Sequence, residues 1–334
     1  MLRKLLNGIL YCCFLAFATI LLLEVCYRWY IVDFYGANLR RLNKEELTSK
    51  SDLPSILVIG DSFSADQHSY VRTLRDSITS HRVINAAVPG TGVRQHRRFF
   101  KRRIKEFQPD LLIYQLYVGN DLLDYRHPTG SSNLSWQRKI YWWLADRLLV
   151  VGYINAQLPA LRHQFTSYEE VTPDAKGVEK FSVSNYNSRT KLLLHAEPTL
   201  LEHSILLKDE RAADMHGLSQ ELEQMLVEVP ESTQVRLLIM PHCIQLGSPY
   251  LQRMLELGAE IDTPDEVITD KFLFFKFLQK SLSSERIQVY SALPWLVAAD
   301  STAMLYYAND PHLSPIGQQV VANSLLDSLR LQLD

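Results

Sequence analysis

Four short stretches, far apart in the chain, carry the residue types of a single acyl-transfer mechanism: Gly60-Asp61-Ser62, Gly90, Gly119-Asn120-Asp121 and Asn309-Asp310-Pro311-His312. A serine hydroxyl becomes an effective nucleophile only when a base removes its proton. Ser62 follows an apolar run and a Gly-Asp turn, which would expose its Oγ at a strand end. It is not a G-x-S-x-G elbow, because the second glycine position holds Ser64. Acyl transfer also needs preorganised donors for the developing oxyanion. Gly90 offers a bare backbone N–H, with Gly92 a competing source. Asn120 offers a side-chain amide, and Ser62 its own N–H. His312 has the chemistry of the base, and an acid should orient its other ring nitrogen. Two residues compete for that place, Asp310 at −2 and Asn309 at −3.

The elements between these stretches can bring them together. Ile56–Ile59, Val83–Val88, Leu111–Tyr117, Val235–Met240 and Ile287–Tyr290 are near-continuously apolar, as strands buried on both faces are. Helical periodicity separates them. Tyr70, Leu74 and Ile78 recur at i+4. Val93, His96, Phe100, Ile104 and Phe107 trace one face of a second helix. Ser314 as N-cap and Pro315 at the first position open a final helix bearing Val321, Leu325 and Leu329. This alternation predicts a doubly wound, mostly parallel α/β sheet, whose ligands bind at the carboxyl ends of the strands. All four stretches fall just after strands or beside the last helix.

The four stretches resemble the signature blocks of the SGNH (GDSL) hydrolase superfamily, over about residues 54–121 and 234–330. The resemblance implies a flavodoxin-like three-layer α/β/α sandwich that hydrolyses or transfers acyl esters without metal or cofactor. It implies Ser62 as nucleophile, His312 as base, and an oxyanion hole of Ser62, Gly90 and Asn120. One position departs from the family's commonest pattern, which has aspartate three residues before the histidine where this chain has Asn309. Asp310 is similar to the DxH form of relatives acting on exported polysaccharides, including alginate acetylation proteins, and is taken as the acid.

The chain has 334 residues, 47% hydrophobic and 22% charged, with a formal net charge of -2. That composition is globular and gives no reason to expect a nucleic-acid partner. Arg3 and Lys4 precede Leu5–Leu23, an uncharged stretch that as a helix spans roughly 28 Å, near the thickness of a bilayer's hydrocarbon core. Glu24, Tyr27, Arg28, Trp29 and Tyr30 follow where an interface belt belongs. Residues 1–32 therefore read as a transmembrane anchor, 33–53 as a polar stalk and 54–334 as the catalytic domain. A cleaved signal peptide is the alternative, but Ala16-Phe17-Ala18 would place the cut inside the apolar run. A buried core helix is the third reading. Arg3 and Lys4 put the N-terminus in the cytoplasm and the domain outside it, on the periplasmic side in a Gram-negative cell, although Arg28, Arg40, Arg41 and Lys44 follow the span. Only Cys243 lies in the body of the domain, so no disulfide is expected there.

Residues 122–231 break the alternation and read as an insertion between the third and fourth core strands. It has a Trp/Tyr-rich helical stretch from Trp136 to Leu149, a polar region from Ser167 to Arg189 and a helix-like stretch from Asp209 to Val229. Trp136, Tyr141, Trp142 and Trp143, with Arg138, Lys139 and Arg147, suggest core packing, an interfacial lid or a sugar-stacking platform. The basic helix after Gly92 reads as a solvated face opposite an apolar one, with contact to anionic lipid or an acidic glycan as the alternative. His242-Cys243 reads as structural, because no Cys/His spacing elsewhere supports a metal site. The expected substrate is an acyl ester, foremost acetyl, of an envelope carbohydrate or a lipid. A polysaccharide O-acetyltransferase using the same acyl-enzyme, and a silent scaffold binding glycan or an assembly partner, are the alternatives.

Overall fold

The computed structural model describes residues 1–48, 53–163, 180–268, 272–299 and 304–333. Five strands, β1 (Ser55–Ile59), β2 (Arg82–Asn85), β3 (Leu111–Tyr117), β4 (Gln234–Met240) and β5 (Ile287–Ser291), form one parallel sheet of order β2-β1-β3-β4-β5. That is the flavodoxin-like order, whose switch point lies between β1 and β3. Every residue of β1 and β3 is buried, as the sequence pattern predicts for strands covered on both faces.

Helices cover both sides of the sheet. Helix α4 (Tyr70–Ser77) packs with the C-terminal helix Pro315–Leu333, where Val321 and Leu325 are fully buried. Helix α5 (Val93–Phe107) packs with the helix Glu210–Leu226. The latter, expected within the insertion, is thus the crossover helix between β3 and β4. Arg97 pairs with Glu221 at 2.5 Å and Lys101 with Glu228 at 2.7 Å, so part of the basic face of α5 is neutralised by that neighbour. Arg103, expected on the solvated face, is buried and pairs with Asp33 and Glu106, each at 2.8 Å.

Among the described residues, the added helices between β3 and the crossover helix are α6 (Asp121–Tyr125), α7 (Trp136–Arg147), α8 (Leu149–His163), Ser188–Ala196 and Leu200–Leu206. Of the polar stretch Ser167–Arg189, residues 167–179 lie outside the described residues.

Of the segment expected as a stalk, residues 33–48 dock on the domain, and residues 49–52 lie outside the described residues. The docked part forms α2 (Gly36–Leu42) and α3 (Lys44–Thr48), with Tyr35, Leu39 and Leu42 buried. Their spacing puts three apolar side chains on one face of an otherwise polar stretch. Asn43 seals the contact: its Oδ1 accepts from Asn85 N–H and its Nδ2 donates to Asn85 O, both at 2.7 Å. The first helix, α1 (Leu2–Arg28), is apolar and exposed over most of its length, while its last turn enters the core through fully buried Tyr27. The four cysteines are unpaired.

Candidate active site

The loop after β1 is built around Asp61. Its Oδ1 accepts from Phe63 N–H at 2.9 Å, and its carbonyl accepts from Ser64 and Ala65 N–H at 3.2 and 3.0 Å. This local turn leaves Ser62 at its apex. Buried side chains fix the turn from three elements. Gln115 of β3 accepts from Asp61 N–H at 3.1 Å, Asn85 of β2 donates to Ser64 O at 2.7 Å, and Gln318 of the last helix donates to Phe63 O at 3.4 Å. Gly60 is required by close approach, since a Cβ there would lie 2.4 Å from Gln115 Oε1.

His312 arrives from the opposite end of the chain. A single antiparallel bridge joins Tyr306 to Leu313. The loop is pinned to the end of β4 by Tyr306 Oη donating to Pro241 O at 2.5 Å. Ser314 then caps the last helix through Gly317 N–H at 3.2 Å, as its sequence position predicts. This brings His312 Nε2 to 2.7 Å from Ser62 Oγ. The Phe63 ring lies 5.0 Å from the imidazole and supports it from one side.

The other ring nitrogen, Nδ1, hydrogen-bonds Asp310 Oδ1, which also accepts from His312 N–H at 3.1 Å. Asn309 faces the insertion. Its Oδ1 accepts from Ser182 N–H at 2.8 Å, and its Nδ2 donates to Lys180 O at 3.0 Å. Of the two residues competing for His312, Asp310 stands beside it.

Asn120 begins α6 just beyond β3. Its Nδ2 donates to Asp124 Oδ2 at 3.1 Å, leaving the second amide hydrogen for another acceptor. Asp124 is in turn held by Arg189 Nη2, 2.5 Å from its Oδ1. Gly90 has φ +70°, the left-handed region that favours glycine, and a Cβ there would come 4.0 Å from Arg189 Nη1. It sits exposed outside the cavity lining. The competing Gly92 has its N–H directed to Gln95 Oε1 at 3.2 Å.

Ser62, Asn120 and His312 open into a cavity of about 90 Å³. Its apolar side comes from Phe63, Tyr117, Leu193, Leu194, Leu200 and Leu201, the four leucines supplied by the insertion. His242 also lines it, although its sequence setting reads as structural. Burial holds its ring pKa down at about 3, and Nδ1 accepts from Ile244 N–H at 3.4 Å. It is therefore a neutral imidazole with its proton on Nε2. Beneath the site, burial lifts the Asp61 carboxyl above the ordinary carboxylate range. Burial and the charge of Asp61 lift Asp121 well above it.

Three polar residues at the site escaped sequence reasoning. Asn187 and Arg189 sit at the start of the helix Ser188–Ala196, and Asp124 on α6. Asn187 caps its helix through Oδ1 and donates from Nδ2 to Asp310 Oδ2 at 3.2 Å. Its one local signal, an Asn at a helix start, is common to many caps. Among the described residues no group of three or more His, Cys, Asp or Glu side chains is arranged to hold a metal ion.

No family model and no curated protein matches the sequence. Among solved structures, the chain is similar to a lipase from a goat rumen metagenome at 14% identity and TM-score 0.42, covering 84% of this chain and 100% of that one. It is also similar to a lipase/acylhydrolase from Enterococcus faecalis, at 11% identity and TM-score 0.39, covering 84% and 98%. A catalytic mutant of an acetylxylan esterase from Geobacillus stearothermophilus matches at 13% identity and TM-score 0.38, covering 84% and 95%.

Proposed function

We propose that this chain is a membrane-anchored serine esterase. The observation that carries the reading is the unbroken hydrogen-bonded row Ser62–His312–Asp310 at the mouth of a cavity. His312 Nε2 takes the Ser62 proton as Oγ attacks the ester carbonyl, and Asp310 stabilises the imidazolium that forms. Ser62 N–H, Gly90 N–H and the second amide hydrogen of Asn120 hold the oxyanion. His312 returns the proton to the leaving alcohol, and water releases the acyl group from Ser62 by the reverse sequence.

The cavity argues for a short acyl group. At about 90 Å³ it is small beside the roughly 300–1,000 Å³ of pockets that enclose whole ligands. Acetyl on a carbohydrate outside the cytoplasm fits this size and the N-terminal helix. Asp310 in the acid's place supports an active enzyme over a silent scaffold.

The test is turnover of p-nitrophenyl acetate, butyrate and octanoate by the full chain, with acetylated polysaccharide as second substrate. Acetate should be fastest, and acetate should be released from the glycan. A preference for octanoate would overturn the assignment of the acyl group. Transfer to an added glycan hydroxyl in place of water would identify the same acyl-enzyme as an O-acetyltransferase.

A further inference from the structure

The three tryptophans of α7 face two ways. Trp142 is 4% exposed and packs with Leu123, Leu134, Leu193 and Leu200. Trp136, Ile140 and Trp143 are 67%, 49% and 47% exposed. Their spacing, i, i+4 and i+7, places them on one helical face. A stripe with two large aromatic rings is costly to leave in water, and tryptophan is the residue most at home between water and hydrocarbon. Arg147 lies over the Trp143 ring at 4.1 Å, adding a cation at the same place.

The stripe is tied to the apolar N-terminal helix. Arg28, the last residue of α1, donates from Nη2 to Arg147 O at 2.6 Å. Glu24 of α1 is buried and accepts from Leu149 N–H at 3.1 Å and Val150 N–H at 2.8 Å, the first two amides of α8. The end of α1, the end of α7 and the start of α8 therefore meet at one buried carboxylate. Trp29, Ile31 and Val32 are exposed immediately beyond α1. The helix that would cross the bilayer is joined to the domain by hydrogen bonds at its last turn.

We infer that the outer face of α7, with Trp29, Ile31 and Val32, is a membrane-contact surface seated in the interface of the bilayer that α1 enters. The partner is the lipid surface itself. Arg147 over the Trp143 ring, with Lys139 of the same helix, supplies positive charge toward anionic headgroups. The inference rests on the proposed insertion of α1 and adds an orientation. The domain lies against the membrane with α7 underneath, and its inner face packs on Leu193 and Leu200, which line the cavity.

The test is site-directed spin labelling of the full chain in vesicles of phosphatidylcholine with a quarter phosphatidylglycerol. Cys12, Cys13 and Cys26 are first changed to alanine, and buried Cys243 is left in place. Labels go on Ile140→Cys and Trp143→Cys, on Phe14→Cys within α1, and on Val297→Cys as an exposed site after β5 at the far edge of the sheet. Near-UV circular dichroism checks that each variant is folded. Collision with oxygen should exceed collision with a water-soluble nickel chelate at 14, 140 and 143, and the order should reverse at 297. A buried label at 14 with nickel-accessible labels at 140 and 143 would overturn this inference while leaving the anchor intact. Nickel access at 14 as well would overturn the anchor and the inference with it.

Discussion

Asn187 Nδ2 donates to Asp310 Oδ2 at 3.2 Å, so the carboxylate beside His312 is held by a residue of the insertion. Two positions on, Arg189 grips Asp124, which holds Asn120. One helix start therefore steadies both sides of the candidate site. The insertion supplies alignment as well as the leucines of the cavity.

Asn187→Ser tests the first of these contacts. Serine keeps the helix cap, so the melting temperature should stay near that of the parent. Its short side chain falls short of Asp310, and kcat should drop about tenfold, a loss of ~1.4 kcal/mol in transition-state stabilisation. Equal kcat at equal stability would show that Asp310 is positioned without Asn187.

The two candidate acids should separate cleanly. Asp310→Ala should lower kcat by about 10³–10⁴-fold with little change in KM, as loss of the acid does in a comparable triad. Asn309→Ala should leave kcat within about tenfold and cost roughly 1–3 kcal/mol of stability, because Ser182 N–H and Lys180 O lose their partner. Steady-state kinetics and urea unfolding on both variants check this, and the opposite ranking would contradict the assignment of Asp310.

Arg189 should act through Asn120. Asn120→Ala should reduce kcat by about 10²–10³-fold, the cost of one oxyanion donor. Arg189→Met should cost about tenfold by loosening Asp124. Combined, the two changes should cost no more than Asn120→Ala alone, since the guanidinium would have nothing left to position. Additive losses would mean that Arg189 meets the substrate independently.

Acid should destabilise the fold through a histidine outside the site. Burial holds His96 at a pKa of about 3, against about 6.5 when unfolded. Between those values the unfolded chain carries a proton there that the folded chain lacks, so stability falls as pH drops through this window. The raised carboxyls Asp61 and Asp121 act in the opposite sense, contributing most at low pH and less as pH rises. Comparing the parent with His96→Gln isolates the histidine. Urea unfolding at pH 6 and pH 5 should show the variant losing about 1 kcal/mol less over that unit. Identical losses would mean that His96 protonates without unfolding.

The strands were legible because β1 and β3 are apolar at all but one position each, Ser55 and Gln115, as a doubly covered sheet demands. The four sequence blocks were legible because each follows a strand end or precedes the last helix. Direction was harder to read. Asn309 and Asp310 are adjacent, and which one meets His312 depends on the backbone at Lys180 and Ser182 that Asn309 engages. Asn187 and Arg189 reach Asp310 and Asp124 across 123 and 65 residues, a pairing that no local pattern encodes. The segment at 33–53 looked like a stalk because its polar residues outnumber Tyr35, Leu39 and Leu42, although those three are what dock it. His242 looked structural because its sequence neighbours give no sign that the end of β4 opens into the cavity.

The most direct measurement is labelling of the full chain by a fluorophosphonate probe, with the modified residue located by mass spectrometry and Ser62→Ala run beside it. A serine nucleophile at position 62 should give a single adduct on Ser62, absent from the folded variant, with ester turnover lost in parallel. A folded parent that takes no label, or a Ser62→Ala variant that still turns over ester, would contradict it.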